Sequence, residues 1–445
     1  MLGTPLYPAY FLKNMKYIYI KTLFSICWAG TYLAMSLLGS LKVSPKAYYI
    51  EIGARLLWIS LFISLFYLWN KQLVGKTIKQ KAIHLYTTTR NFKLAALMVL
   101  NALWFIFIGI YHHSYVEAFS SAFTLLIVIG ISVLINALRI IQFKSLLDGI
   151  LLGTLPFIGI TLYYYLTNSV DFFGIPFMFG FFDNPNGFGS AILTLLLASI
   201  IRIVGYRSST LHKLLLWAYT CSLGYLIFLS NHRTAIIAIL TGGVCSLVFS
   251  AKRSRLLIFG VISIVVISSF LLLSDEKLNS GFISPKWQRS HKAIQQIVKE
   301  GVNRETLRTL TSYRSDLWLQ SLDVISEHPL LGTGVKTVGL RMFGAQTKNV
   351  SNDVRTYKPP AVRTAHNVFL HLGELYGIPA VLFFCAISFY GGRRALQYGK
   401  RRTLFVLVTC ISYSLVNNGL MYSLQFISVF YLFTLCVDQK NEIIS

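Results

Sequence analysis

Apolar runs of about 20 residues, each long enough to cross a bilayer as a helix, recur along almost the whole chain. They lie near 17–38, 47–69, 92–112, 117–138, 146–166, 187–204, 211–229, 233–250, 256–273, 366–390, 403–417 and 420–437. Charge agrees with hydropathy. Only 13% of residues are charged, against roughly a quarter in a soluble domain, so most of the surface faces something other than water. The expected fold is an all-α polytopic membrane protein of about 12 transmembrane helices. Spans one to nine fill 1–273, a large hydrophilic loop fills 274–365, and spans ten to twelve with a short tail fill 366–445.

Lysine and arginine in short loops mark the cytoplasmic side. Lys13 and Lys16 precede the first span; Lys71, Lys76, Lys79, Lys81, Arg90 and Lys93 follow the second. Further clusters are Arg139 with Lys144, Arg202 with Arg207 and Lys213, Lys252 with Arg253 and Arg255, and Arg393 to Arg402. All fall on one side of the expected topology, whereas the alternate short loops hold only Lys42, Lys46 and Arg233. Both termini are therefore expected in the cytoplasm. The net charge of +25 is accounted for as topogenic, and no nucleic-acid partner is needed to explain it. The cysteines sit in or at the ends of apolar spans and read as packing residues rather than disulfides or metal ligands. No cleavable leader is evident ahead of the long first span.

The loop at 274–365 follows the ninth span and is expected outside, in the periplasm if the membrane is a bacterial inner membrane. It holds fourteen Lys or Arg and eight Asp or Glu; long external loops escape the charge rule. Around 284–300, Trp287, Ile294, Ile297 and Val298 share a helical face among basic residues, the pattern of an interfacial helix. At 312–328, Trp318, Leu322 and Ile325 recur at helical spacing, with Ser312 as the expected N-cap and Pro329 as the stop. A glycine-rich LLGTG turn follows, and then an irregular stretch at 341–363.

Three residues where the outer side meets the membrane can carry chemistry: Arg233 opening the eighth span, Arg314 opening the loop helix, and His366 opening the tenth span. Singly, each has a plain structural role as well: a snorkelling anchor, a solvated helix residue, a structural histidine. Together they fit one reaction. The guanidinium fork matches phosphate oxygens, so two arginines suit a diphosphate without a metal ion. A histidine near its free pKa accepts a proton from a hydroxyl at neutral pH. Two clamps and a base suit transfer of a sugar from a lipid diphosphate to an alcohol. Outside a bacterial inner membrane there is no nucleotide-sugar pool, so the donor must arrive already activated on a lipid. Candidate substrate contacts are Asn367 beside the histidine, Arg341 and Arg363 in the irregular stretch, and Asn184 and Asn186 in FDNPNG, whose simpler role is turn geometry. Glu374 falls on the face of His366 and is a candidate for the same cavity. Glu51 and Arg55, four apart in the second span, read equally as a functional pair and as a packing pair.

Four motifs carry a family resemblance: NPN before the sixth span, HRTA at the eighth, YRSDLWLQSLDVISEHPLLGTGV, and AHNVFLHLGELYGIP. With the layout of spans and one large loop, they resemble the O-antigen ligase and polymerase superfamily of bacterial inner-membrane glycosyltransferases. At the histidine segment His366, Asn367 and Gly377 fit the ligase pattern, while Ala380 departs from its Gly, Thr or Tyr. The resemblance implies two arginines, Arg233 and Arg314, gripping undecaprenyl diphosphate, and His366 activating the acceptor hydroxyl, with no cofactor or metal. It implies transfer of lipid-linked O-antigen to the lipid A–core acceptor with inversion at the anomeric centre. Polymerase and protein O-oligosaccharyltransferase activities are the nearest alternatives, and a transporter of lipid-linked glycan is the non-enzymatic one.

Overall fold

The computed structural model describes residues 18–31, 45–88, 92–113, 115–138, 143–167, 185–206, 208–229, 232–248, 295–299, 301, 303, 305–306, 308, 311, 314–334, 366–397 and 401–417. Among these the regular structure is helical, without strand. In chain order the helices are α1 (18–31), α2 (Pro45–Gln72), α3 (Ile78–Thr88), α4 (Phe92–Tyr111), α5 (Tyr115–Leu138), α6 (Phe143–Leu166), α7 (Pro185–Gly205), α8 (Thr210–Leu229), α9 (Arg233–Val248), α10 (Arg314–Glu327), α11 (Val368–Gln397) and α12 (Arg401–Ser414). Five stretches are long and apolar enough to cross a membrane: Gly53–Gln72, Phe92–Tyr111, Lys144–Tyr163, Phe188–Gly205 and Val368–Gln397. Among the described residues the fold is thus helical, with the apolar spans of a polytopic membrane protein. The spans expected at 256–273 and 420–437, the stretch at 341–363 and the Glu51 side chain lie outside the described residues. Of the interfacial helix expected around 284–300, residues 295–299 are described and are helical.

Close helix contacts in lipid come from small residues that let backbones approach. α9 and α12 meet most extensively, and a methyl added at Gly242 of α9 would collide with the Thr409 hydroxyl of α12. Gly153 of α6 likewise lies against the Ser25 carbonyl of α1. Between α1 and α2, Phe24, Trp28 and Trp58 form an edge-on cluster, and Trp58 Nε1 donates to Thr31 Oγ1 over 2.7 Å. Cys27 and Cys410 are fully buried, as packing residues should be. The basic segment after the second span is more ordered than a loop. Thr77 and Gln80 form a reciprocal capping box (3.0 and 3.3 Å), which starts α3.

The starts of α6, α8 and α12 and the end of α7 meet at one end of the bundle. Arg202 of α7 bonds Asp148 of α6 (2.6 Å), Ser208 (2.8 Å) and His212 of α8 (3.1 Å). Arg402 of α12 donates to the Gly205 carbonyl over 3.0 Å. Three of the basic clusters expected on one side, those around 139–144, 202–213 and 393–402, therefore share an end. Arg202 is not a loop charge, however: it is 2% exposed and ion-paired.

At the opposite end α11 is broken. Gly377 has φ 77° and ψ 173°, a conformation essentially restricted to glycine, and a methyl there would collide with the Leu330 carbonyl. Pro379 lacks an N–H, and Ile378 N turns outward to the Pro329 carbonyl (2.7 Å). The carbonyls of Glu374 and Leu375 thus lose their helical partners. They are satisfied by Thr333 N (2.8 Å) and Gly334 N (3.1 Å), while Trp104 of α4 donates its indole N–H to Tyr376 O over 2.8 Å. The LLGTG turn and the GELYGIP segment are two halves of one latch, which ties the end of α10 to α11.

α10 begins close to where its sequence predicts, with Ser315 N donating to Thr311 Oγ1 over 3.1 Å; Ser312, the expected N-cap, lies outside the described residues. The buried face of α10 differs. Leu322 is 51% exposed and Ser321 is fully buried. A small residue is needed there because α10 lies close on α11, where Ile325 presses against Gly373.

Candidate active site

At the latched end, α7, α9, α10 and α11 all begin and α12 ends. The last turn of α12 is the hub. Arg314, the first residue of α10, donates from Nη1 to the Val416 carbonyl. Asn367 donates from Nδ2 to the Leu415 carbonyl over 2.8 Å. Its Oδ1 accepts from Phe369 N (2.9 Å) and Leu370 N (3.1 Å), so it is also the N-cap of α11. The Asn367 amide is thereby largely committed to the fold.

His366 stands between these anchors. It is one of two non-glycine residues with positive φ (51°) among the described residues. Such backbone is uncommon outside glycine and clusters at functional sites. Its Nδ1 is buried with no hydrogen-bond partner among the described residues. Burial first, and then the positive charge of Arg314, lowers its pKa to about 4. The near-free pKa expected from sequence is therefore corrected: desolvation and a neighbouring cation both disfavour the imidazolium. The ring is neutral at pH 7 and able to accept a proton.

The structure brings Arg314, His366 and Asn367 together. Arg233 starts α9 at the same end; its side chain lies outside the described residues, as does that of Asn186 in the first turn of α7. Asn184, Arg341 and Arg363 lie wholly outside them. Glu374 is engaged by α10. It is 1% exposed and accepts from Ser321 Oγ of α10 over 3.3 Å, so it joins α10 to α11.

Sequence reasoning passed over a buried polar cluster beneath the site. His232 caps α9, its Nδ1 accepting from Ala235 N over 3.3 Å. Its ring stacks on Tyr413 of α12 at 5.7 Å, with Nε2 3.5 Å from the tyrosine hydroxyl. Asn417 donates to that hydroxyl over 2.7 Å, and Ser190 of α7 bonds it too. Gly189 makes room: a methyl there would overlap the His232 ring. The available signal was Tyr413 and Asn417, four apart on an apolar span, because polar residues inside a membrane are functional candidates by default.

Fold and site together define a polytopic helical membrane protein with a cationic, partly buried site at one end of its bundle. The family described as O-antigen ligase matches residues 218–385, which include Arg233, Arg314, His366 and the latch but not Tyr413 or Asn417. Over that stretch the chain is similar to the O-antigen ligase family, in line with the resemblance its motifs carry. A comparison with curated proteins finds no match.

Proposed function

We propose that the protein is an O-antigen ligase, which transfers undecaprenyl-diphosphate-linked polysaccharide to a sugar hydroxyl of lipid A–core. The observation that supports this best is the pairing of Arg314 with a neutral, partly buried His366 inside the matched stretch. Arg314 and Arg233 hold the diphosphate, with charge supplied by guanidinium groups rather than a metal ion. His366 takes the proton of the acceptor hydroxyl as its oxygen attacks the anomeric carbon. The bond from that carbon to the diphosphate oxygen breaks, its electron pair leaves with undecaprenyl diphosphate, and the anomeric centre inverts in one displacement. Four helix N-termini at this end favour an anionic ligand. Asn367, Arg341, Arg363, Asn184 and Asn186 are proposed to contact the glycan or diphosphate.

The proposed setting is a bacterial inner membrane, with 1–273 and 366–445 as the spanning regions and 274–365 as a periplasmic loop above the site. A reporter fused at Lys348 is expected to read periplasmic and one at Tyr398 cytoplasmic. The same side for both would overturn this placement.

The reaction is tested by lysine replacement. Lysine keeps the charge but loses the fork, so a membrane anchor should accept it and a diphosphate clamp should not. Arg233→Lys and Arg314→Lys are each expected to lower transfer on the order of 10–100-fold, in purified protein with lipid-linked donor, lipid A–core and a chelator throughout. Full activity in either variant removes that arginine from the site. Activity that needs added magnesium overturns the metal-free reading. In the host, deletion should leave bare core and polymer on the carrier lipid; core bearing a single repeat would identify a polymerase instead.

A further inference from the structure

We propose that Tyr413 is a positioning residue: held by His232, Asn417 and Ser190, its hydroxyl fixes the last turn of α12, whose carbonyls set Arg314 against His366. The proposal rests on the reading of the site given above and adds residues outside the matched stretch 218–385.

The last turn of α12 presents two carbonyls in succession. Leu415 O receives Asn367 (2.8 Å) and Val416 O receives Arg314. Asn367 is the direct neighbour of His366, so these two carbonyls set where the base stands relative to the guanidinium. They are free to act in this way because they belong to the end of a helix, where carbonyls lack partners within the helix.

The turn is held from below by Tyr413. Val416 N returns to Tyr413 O (3.2 Å), and the Asn417 side chain returns to Tyr413 Oη (2.7 Å). Tyr413 and Asn417 are buried, as are His232 and Ser190. The network also fixes protons. His232 Nδ1 accepts the backbone N–H of Ala235, so a neutral ring carries its proton on Nε2, which faces Tyr413 Oη at 3.5 Å. That oxygen then has two donors directed at it, from His232 and Asn417, and its own proton is left for Ser190. One hydroxyl thus joins α7, α9 and α12 under the site. His232 is also the residue before Arg233, so the same network sets the start of α9.

Arg314 lies between the two halves of the arrangement, within electrostatic reach of both His366 and Tyr413. The charged and titratable groups coupled to His366 from the packed helices are Arg314 of α10 and His371 of α11, while Tyr413 of α12 is coupled to Arg314. If the turn loosens, Arg314 withdraws from His366, and the histidine binds its proton more readily.

The test is Tyr413→Phe, with Asn417→Leu as a second variant that leaves the tyrosine in place. Each is assayed in purified full-length protein alongside Arg314→Lys and His366→Asn. Tyr413→Phe is expected to lower kcat about 10- to 100-fold, the scale of a displacement near 1 Å, with a smaller change in KM for donor. The acid limb of kcat/KM should move to higher pH, which a merely structural defect would not do. In the Arg314→Lys background Tyr413→Phe should cost little more, because residues acting through one another are non-additive. Asn417→Leu should shift the limb in the same direction. Wild-type kcat and an unmoved limb in Tyr413→Phe, with transfer lowered in Arg314→Lys and lost in His366→Asn, would overturn the positioning role and leave the reading of the site intact. Should Tyr413→Phe fail to fold, an unmoved limb in Asn417→Leu overturns the role equally. Full activity in Arg314→Lys and His366→Asn would instead sink the site reading itself.

Discussion

Replacing His366 by alanine is expected to lower turnover about 10²–10⁴-fold, the usual contribution of a general base, while the protein still inserts and purifies. Alanine alone leaves an ambiguity, because residue 366 sits at φ 51°, where a side chain other than glycine is strained. Asparagine tolerates that backbone better but has no basic nitrogen. His366→Asn should therefore fold as well as the wild type and be as inactive as His366→Ala. Turnover near wild type in either variant, measured on purified protein with both lipid substrates, removes His366 as the base.

The pH dependence carries a sign that follows from the site. The His366 pKa is lowered to about 4 by burial and then by Arg314, so the free enzyme should hold a neutral base through the whole neutral range. The acid limb of kcat/KM, which reports the free enzyme, should then lie well below the ordinary histidine range. A diphosphate bound to Arg314 offsets the positive charge that holds the imidazolium down. The acid limb of kcat, which reports the complex, should consequently lie at higher pH than that of kcat/KM. Stability follows the same proton. The unfolded chain binds it near pH 6.5, the ordinary histidine value, and the folded chain only near 4. The contribution of neutral His366 is therefore complete above the unfolded value and is lost as pH falls through the folded one. A limb of kcat at or below that of kcat/KM would contradict the proposed contact between diphosphate and Arg314.

Five of the expected spans were legible because hydrophobic length is a local property, and the contacts among Arg202, Asp148, His212 and Arg402 bring three of the basic clusters to one end. Arg314 and His366 were legible as residue types at the edges of apolar or amphipathic segments. Their relationship was not. It depends on the Leu415 and Val416 carbonyls, and backbone groups leave no mark in composition or spacing. The face of α10 was misjudged for a related reason. Periodicity selects the large apolar residue Leu322, but the close approach of α10 to α11 buries the small one, Ser321, against Glu374. The bond of Glu374 to Ser321 was not legible either, because it depends on the close approach of α10 to α11. The free pKa assumed for His366 failed because burial and a neighbouring cation are tertiary facts.

Gly377→Ala is expected to have the largest effect on the fold near the site. The residue's φ of 77° with ψ of 173° is strained for any side chain, at about 1–3 kcal/mol. The added methyl would also meet the Leu330 carbonyl. Relief requires the two halves of the latch to part, which breaks the bonds from Thr333 N and Gly334 N to Glu374 O and Leu375 O and from Ile378 N to Pro329 O. α11 cannot absorb the change by straightening, because Pro379 has no N–H to return to Leu375 O. We therefore expect a loss of about 3 kcal/mol or more, read as a lower unfolding temperature in detergent. Hydrogen exchange at Thr333 and Gly334 should accelerate before that of α4 or α9. Transfer should fall as well, because the end of α10 is tied to α11 through the latch and Arg314 is carried on α10. Gly159 is the control. It lies inside α6, and a methyl there meets nothing within 4 Å, so Gly159→Ala should be neutral or stabilise by up to about 1 kcal/mol. If Gly377→Ala keeps its protection at Thr333 and Gly334 and behaves like Gly159→Ala, the latch does not hold α10 in place, and the position of Arg314 must be set by its contact with α12 alone.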